Sequence, residues 1–236
     1  MPELTRCFAL VPCAGVGQRA GTGGPKQYAA LAGRSVVAHT LAALAEVPRI
    51  DQTLVVLSPD DDAFERHAPG FNGWVVRSGG ATRAASVSAG LLELRKHGAS
   101  YDDWVLVHDA ARCMLQAAWV NRLIDACVHD AVGGLLALPL ADTLKAAKLC
   151  GPDERVATTL DRSGKWLAQT PQMFRLGLLQ RAMHESAASG VDITDEASAV
   201  EVLGLAPRLV PGDLENFKLT WPADFALAER LLRSRP

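Results

Sequence analysis

Five short apolar runs, separated by stretches with helical periodicity, leave this chain few folds to choose from. They are Cys7 to Val11, Thr53 to Ser58, Trp74 to Arg77, Trp104 to Val107 and Gly133 to Leu138. The β-branched content and the turn formers that close them mark buried strands. Between them, Ser35 caps a helix whose inner face is Val37, Leu41 and Leu44, and Val87, Leu91 and Leu94 line another. A further helix is expected from about Ala117 to Val128. Asp60, Asp61 and Asp62 are expected to start one more, where negative charge suits the N-terminal dipole. Strands alternating with helices predict an α/β fold, with a mostly parallel sheet covered on both faces. The 236 residues, 49% hydrophobic, suffice for one sizeable core plus an appendage. No repeat or linker divides them, so residues 1–236 read as a single domain.

The alternation breaks at Asp142. Leu144 to Leu149 and Arg155 to Leu160 are separated by Cys150-Gly151-Pro152-Asp153-Glu154, which predicts a β-hairpin within residues 142–165. Its low apolar content and dense charge predict an arm that projects and needs a partner surface. After Gln169-Thr170-Pro171-Gln172, to which no element is assigned, a helix is expected from about Leu176. Thr194 is expected to cap a helix with Asp195 and Glu196 in its first turn. A strand near Arg208 to Val210 and a last helix from Pro222 complete the chain.

Several function classes are excluded. No stretch approaches the roughly 18 apolar residues of a membrane span, and the start MPELTRC has no apolar signal core, which predicts a cytoplasmic protein. A formal net charge of −2 with no basic block argues against nucleic acid. Five cysteines without paired CxxC spacing read as buried free thiols, with a reactive thiol conceivable at Cys13 or Cys113.

Chemistry concentrates between Val11 and Lys26, VPCAGVGQRAGTGGPK. Glycine-rich turns let successive N–H groups converge on one anion, and Arg19 and Lys26 add charge. Gly15 to Ala20 fits the dinucleotide fingerprint, but GTGGP cannot open a helix and no acid lies between Gly17 and Glu46. The Walker pattern fails because Pro25-Lys26-Gln27 replaces Gly-Lys-[Ser/Thr]. Ligands in open α/β sheets bind beyond the carboxyl ends of the strands. That rule brings this loop together with Gly79-Gly80-Ala81-Thr82-Arg83 and Ser86, with His108-Asp109-Ala110-Ala111-Arg112, and with Pro139 to Thr143. Asp109 is placed to hold Mg²⁺ against phosphate oxygens, with a helix-capping Asp the alternative. His108 reads as a packing residue rather than a base.

PCAGVGQR, PKQY, HDAAR, DTLK, LDR, QTPQ, ITDEAS and NFKLT, in this order and spacing, resemble the 2-C-methyl-D-erythritol 4-phosphate cytidylyltransferases, from about residue 7 to 232. The resemblance implies a Rossmann-like nucleotidyltransferase domain whose β-arm serves a homodimer. It also implies transfer of a cytidylyl group from CTP to the polyol phosphate, with Mg²⁺ and release of pyrophosphate. By position, Ala14, Gly15, Gly17, Gly80 and Ser86 would contact the nucleotide, while Arg19, Lys26 and Lys218 would serve its phosphates and catalysis. Asp109 would bind metal, and Arg112, Thr143, Arg162 and Thr194 would bind the acceptor, Thr143 and Arg162 in the partner's site. Three positions depart from the family pattern: Cys13 for Ala, Ala81 for an acid and Cys113 for Pro. The rival readings are a cytidylyltransferase for another polyol phosphate such as ribitol 5-phosphate, a GTP or UTP enzyme, and a non-catalytic nucleotide-sensing module.

Overall fold

A computed structural model describes residues 5–15, 24–150 and 152–235. The first half runs β1 (Cys7–Pro12), β2 (Ala30–Leu31), β3 (Arg34–Ser35), α1 (Val36–Ala45), β4 (Gln52–Val56), α2 (Phe64–His67), β5 (Trp74–Val76), α3 (Arg83–Lys96) and β6 (Trp104–Val107). It continues with α4 (Ala117–Cys127), β7 (Gly133–Pro139), β8 (Leu144–Cys150), β9 (Asp153–Leu160), β10 (Trp166–Arg175), α5 (Leu176–Ser189), α6 (Glu196–Val202), β11 (Arg208–Pro211) and α7 (Pro222–Ser234).

Seven strands form one sheet in the order β11-β7-β10-β6-β1-β4-β5. Neighbours are parallel except at β10, which runs antiparallel to both β6 and β7. The expected α/β fold with a mostly parallel sheet is therefore present. Strand β1 explains why its sequence is continuously apolar. Phe8 and Leu10 enter a core with Leu54, Val56, Val87 and Leu91 on one face. Ala9 and Val11 enter the other with Val55, Leu41, Leu44 and Leu123. A strand covered on both faces loses the period-two alternation of a half-exposed one. After β1 the chain adds β4 and β5 on one side and then returns to place β6 on the other. The crevice beyond the C-terminal ends of β1 and β6 is thus the topological switch point.

A smaller core of Leu31, Val36, Cys113, Met114, Leu219 and Ala228 ties α7 and the β2–β3 pair to the rim of that crevice. It fixes the segment carrying Lys218, because the Leu219 N–H donates to the Ala111 carbonyl at 2.9 Å.

Four expectations need correction. Asp60 to Asp62 do not start a helix: α2 is one turn beginning at Phe64, and the Asp61 carboxylate accepts from the N–H groups of Ala63 and Phe64. The cap of α6 is Asp195 rather than Thr194, in a reciprocal capping box with Ser198. The unassigned Gln169 to Gln172 lies inside β10, a strand flanked on both sides by others. Four cysteines are buried as expected, but Cys150 is exposed.

The predicted hairpin exists as β8 and β9, an antiparallel pair outside the main sheet. Every residue of β9 is exposed, and Leu149, Val156 and Leu160 open apolar surface to solvent. Two-stranded hairpins are marginal on their own in water, which is the physical argument for a covering surface.

Candidate active site

The site grows from three strand ends. Pro12 ends β1, having no N–H for the ladder, and the Cys13 N–H makes one more bond to the Val56 carbonyl at 2.8 Å before the chain leaves the sheet. Residues 16–23 of the glycine loop, including Gly17 and Arg19, lie outside the described residues. On the loop's far side, buried Gln27 donates to the Cys13 carbonyl at 3.0 Å, and Lys26 Nζ donates to the Leu219 carbonyl at 2.7 Å. These bonds draw Lys26 against the segment that carries Lys218.

Beyond β5, a glycine pair makes a close approach possible. A Cβ on Gly79 would stand 2.5 Å from the Ala14 Cβ, and one on Gly80 would stand 2.5 Å from the Ala85 Cβ. The Gly80 N–H donates to Ser86 Oγ at 3.2 Å, and that hydroxyl donates to the Thr82 carbonyl at 3.0 Å. Ser86 therefore shapes the turn from a buried position. Thr82 caps α3 by accepting from the Ala85 N–H, so the N-terminus of this helix opens on the crevice, the end that favours anions.

Beyond β6 stands Asp109, buried to 7% exposure. Its Oδ1 accepts from Arg83 Nε at 2.8 Å, and its Oδ2 faces Lys218 Nζ at 2.9 Å and Arg112 Nε at 3.7 Å. Burial alone would raise its carboxyl, but Arg83, Lys218 and Arg112 overrule that and hold it well below the usual carboxylate range. Arg83 also makes a two-pronged bond to Glu196, at 2.6 and 3.0 Å. Burial pushes the Glu196 carboxyl up, and the Arg83 charge opposes it.

His108 supplies no base. Burial lowers its imidazole to about 4. Its Nδ1 accepts from the Thr170 hydroxyl, which itself accepts from the Asp109 N–H, and its Nε2 meets the Arg112 carbonyl. The thiols at positions 13 and 113 are inert by the same physics, since burial raises both, Cys113 to about 12.

Ala14, Gly15, Lys26, Gly80, Ser86, Asp109 and Lys218 share one cavity of about 530 Å³. Arg112 and Thr194 border an adjoining space of about 140 Å³, together with Arg83, Asp109 and Lys218. The Arg112 guanidinium donates to the carbonyls of Asn216 and Ala168, and its Nε is buried without a hydrogen-bond partner. Thr143 and Arg162 are exposed on and beside the arm and border neither cavity. Sequence reasoning assigned no role to Arg83 and gave Glu196 only a place in the first turn of a helix. Both stood inside quoted motifs, yet only their pairing across 113 residues gives them meaning.

A family model described as IspD, 2-C-methyl-D-erythritol 4-phosphate cytidylyltransferase, matches residues 7–234. The chain belongs to this family. It is 53% identical to the 2-C-methyl-D-erythritol 4-phosphate cytidylyltransferase of Paraburkholderia phytofirmans over 98% of both chains. It is 57% identical to the bifunctional enzyme IspD/IspF of Albidiferax ferrireducens, of which it spans 54%. A crystal structure of 4-diphosphocytidyl-2C-methyl-D-erythritol synthase superposes with a TM-score of 0.85 at 42% identity, covering 97% of this chain and 99% of that one. For a member of the 2-C-methyl-D-erythritol 4-phosphate cytidylyltransferase family, the crevice between β1 and β6 is the natural place for a nucleotide. Among the described residues, no three His, Cys, Asp or Glu side chains cluster as a metal cage. One carboxylate at the cavity wall fits an ion that arrives with phosphate oxygens and water as its other ligands.

Proposed function

We propose that the chain transfers a cytidylyl group from CTP to 2-C-methyl-D-erythritol 4-phosphate. The observation that carries this is the convergence of Lys26, the Gly79–Ser86 turn, Asp109 and Lys218 on one cavity in a member of this family. A phosphate monoester is largely dianionic at pH 7, its second pKa being about 6. An acceptor phosphate oxygen attacks the α-phosphorus and forms the new P–O bond. The bond from the α-phosphorus to the bridging oxygen breaks, and pyrophosphate leaves with that electron pair. No proton has to be removed from the nucleophile, which agrees with a site where the imidazole beside Asp109, His108, is buried and neutral.

What the protein must supply is alignment and positive charge. Lys26 and Lys218 stand on the same cavity and are the charges assigned to the transition state, with Arg19 at the loop. Backbone N–H groups at the start of α3 serve the nucleotide, with Ala14, Gly15, Gly17, Gly80 and Ser86. Asp109 would hold Mg²⁺ with the phosphate oxygens, and the ion would neutralise phosphate charge. Arg112 and Thr194 serve the acceptor, in the space that adjoins the main cavity. The exposed arm supports a homodimer in which Thr143 and Arg162 complete the partner's site. No helix among the described residues is long and apolar enough to cross a membrane, and we place the enzyme in the cytoplasm.

The test measures pyrophosphate release from CTP, GTP and UTP, each with 2-C-methyl-D-erythritol 4-phosphate and with ribitol 5-phosphate, at saturating Mg²⁺. Release with CTP and the methylerythritol acceptor alone is expected. Faster release with ribitol 5-phosphate would reassign the acceptor, and none with any pair would leave only nucleotide binding.

A further inference from the structure

We infer that Glu196 is a positioning residue for cytidylyl transfer, acting on Asp109 through Arg83. Glu196 is 1% exposed and cannot be solvated, so its charge has to be met inside the protein. Arg83 meets it with both terminal nitrogens, at 2.6 and 3.0 Å. A guanidinium is planar, so fixing two of its nitrogens fixes the direction of the third. That third donor, Nε, points at Asp109 Oδ1 at 2.8 Å and leaves Oδ2 to Lys218 at 2.9 Å.

Glu196 is itself anchored. It opens α6, where the Ala197 N–H donates to Gln172 Oε1 at 2.7 Å and Gln172 Nε2 donates to Asp195 Oδ2 at 2.8 Å. Gln172 is 1% exposed and sits in β10, so the sheet holds the start of α6 directly. The relay therefore runs from β10 to Glu196, across to α3 and back to the end of β6.

Stability is a weak reason for such an arrangement, because a buried ion pair rarely outdoes apolar residues of similar volume. Position is a better one. Arg83 borders the 530 Å³ cavity, and without Glu196 its terminal nitrogens would become ligands for the same phosphate oxygens that Lys26 and Lys218 serve. A nucleotide would then bind at least as well but out of line.

This rests on the cytidylyltransferase reading, which wild-type turnover in the same assay tests separately. Glu196→Gln, Arg83→Lys and the double variant are compared by pyrophosphate release, by CTP affinity from calorimetry without acceptor, and by thermal melting. Misalignment predicts that kcat falls about ten- to a hundredfold in each single variant. CTP affinity should be unchanged or tighter in Glu196→Gln, a split that simple loss of folded protein does not give. The double variant should be no slower than the slower single one, because both act through one path. Arg83→Lys keeps Glu196 paired, so it supplies a folded reference even where Glu196→Gln does not fold. The inference is overturned by kcat within about twofold of wild type in either folded single variant, or by a double variant whose losses multiply. An inactive wild type overturns the underlying reading instead, and this inference with it.

Discussion

Asp109→Asn removes the anion on which three cations converge, and its cost follows from that geometry. Arg83, Lys218 and Arg112 all approach this carboxylate, and among the described residues Glu196 is the other carboxylate bonded to any of them. The variant leaves three cations to one anion in a largely buried space. Breaking a buried pair by deleting one partner costs about 3–5 kcal/mol. Lys218 is 37% exposed and can turn its ammonium to water, which moves the expectation to the lower end, about 3 kcal/mol. For a chain of this size each kcal/mol shifts Tm by about 2–4 °C, so a loss of about 6–12 °C is expected.

Turnover per folded molecule should fall about 10²–10³-fold, as when one organised charge contact to a transition state is lost. The assay pairs scanning calorimetry with pyrophosphate release well below the variant's Tm. The pH dependence gives an independent check. Because the folded carboxyl is held below its unfolded value near 4, its contribution is present above about pH 4 and lost as pH falls further. The wild-type advantage should thus be flat from pH 8 to 5 and shrink in stronger acid. A Tm within about 2 °C of wild type, with turnover retained, would refute the reasoning that Asp109 organises these cations.

Lys26→Ala should lower Tm by no more than a few degrees, since the half-buried residue gives up a hydrogen bond to the Leu219 carbonyl, yet reduce kcat about 10²–10³-fold; near-full activity in the folded variant would remove its phosphate role. His108 should make the protein acid-labile. Burial holds its imidazole at about 4, so stability present above about pH 6.5 is lost at about 1.4 kcal/mol per pH unit as pH falls toward 4. In urea titrations His108→Asn should show a shallower decline between pH 7 and 5, and parallel declines would place the acid sensitivity elsewhere. For the arm, a heterodimer of Arg162→Ala and Lys26→Ala subunits should regain up to about half of wild-type activity, because one of its two sites keeps both residues. A heterodimer as inactive as its parents would place Arg162 in its own subunit's site or outside catalysis.

Much of the frame was legible because burial on both faces is written plainly into β1, β4 and β6. Trp104 to Val107 was read to the residue, and Val87, Leu91 and Leu94 do face inward on α3. The hairpin was legible from Cys150-Gly151-Pro152 between two runs. Hydrophobic pattern failed at β10, where the buried side chains include Gln169, Thr170 and Gln172 and a proline interrupts the run. Such residues look like a loop until their hydrogen-bond partners are known. Thr194 and Asp195 are equally good caps by type, and the choice fell to Asp195, which also accepts from Gln172. Arg83 and Glu196 were illegible for a different reason. Each is an ordinary surface residue type, and no local spacing announces a pair formed across the fold.

The strand that the sequence concealed is also the one that holds the site together. Gln169 and Gln172 lie three residues apart on β10, where its register against β7 shifts between Ala168 and Gln172. Gln169 exchanges bonds with the backbone of Asp213, and Asn216 donates to the Thr170 carbonyl at 2.8 Å. Arg112 adds its bond to the Asn216 carbonyl at 2.7 Å, so the segment leading to Lys218 is fastened to β10 and to the end of β6 at once. Gln172 fastens the start of α6 and thereby Glu196 and Arg83. Two clamps on one strand thus set Arg83 and Lys218, which meet different carboxylate oxygens of Asp109. A regular apolar strand here would pack as well but could hold neither segment, because main-chain groups in a loop need polar partners when they are buried. A reaction that asks for aligned charge rather than a base is served by this division. The parallel strands β1 and β6 provide the crevice, and the antiparallel strand between β6 and β7 provides the side chains that fix what stands in it.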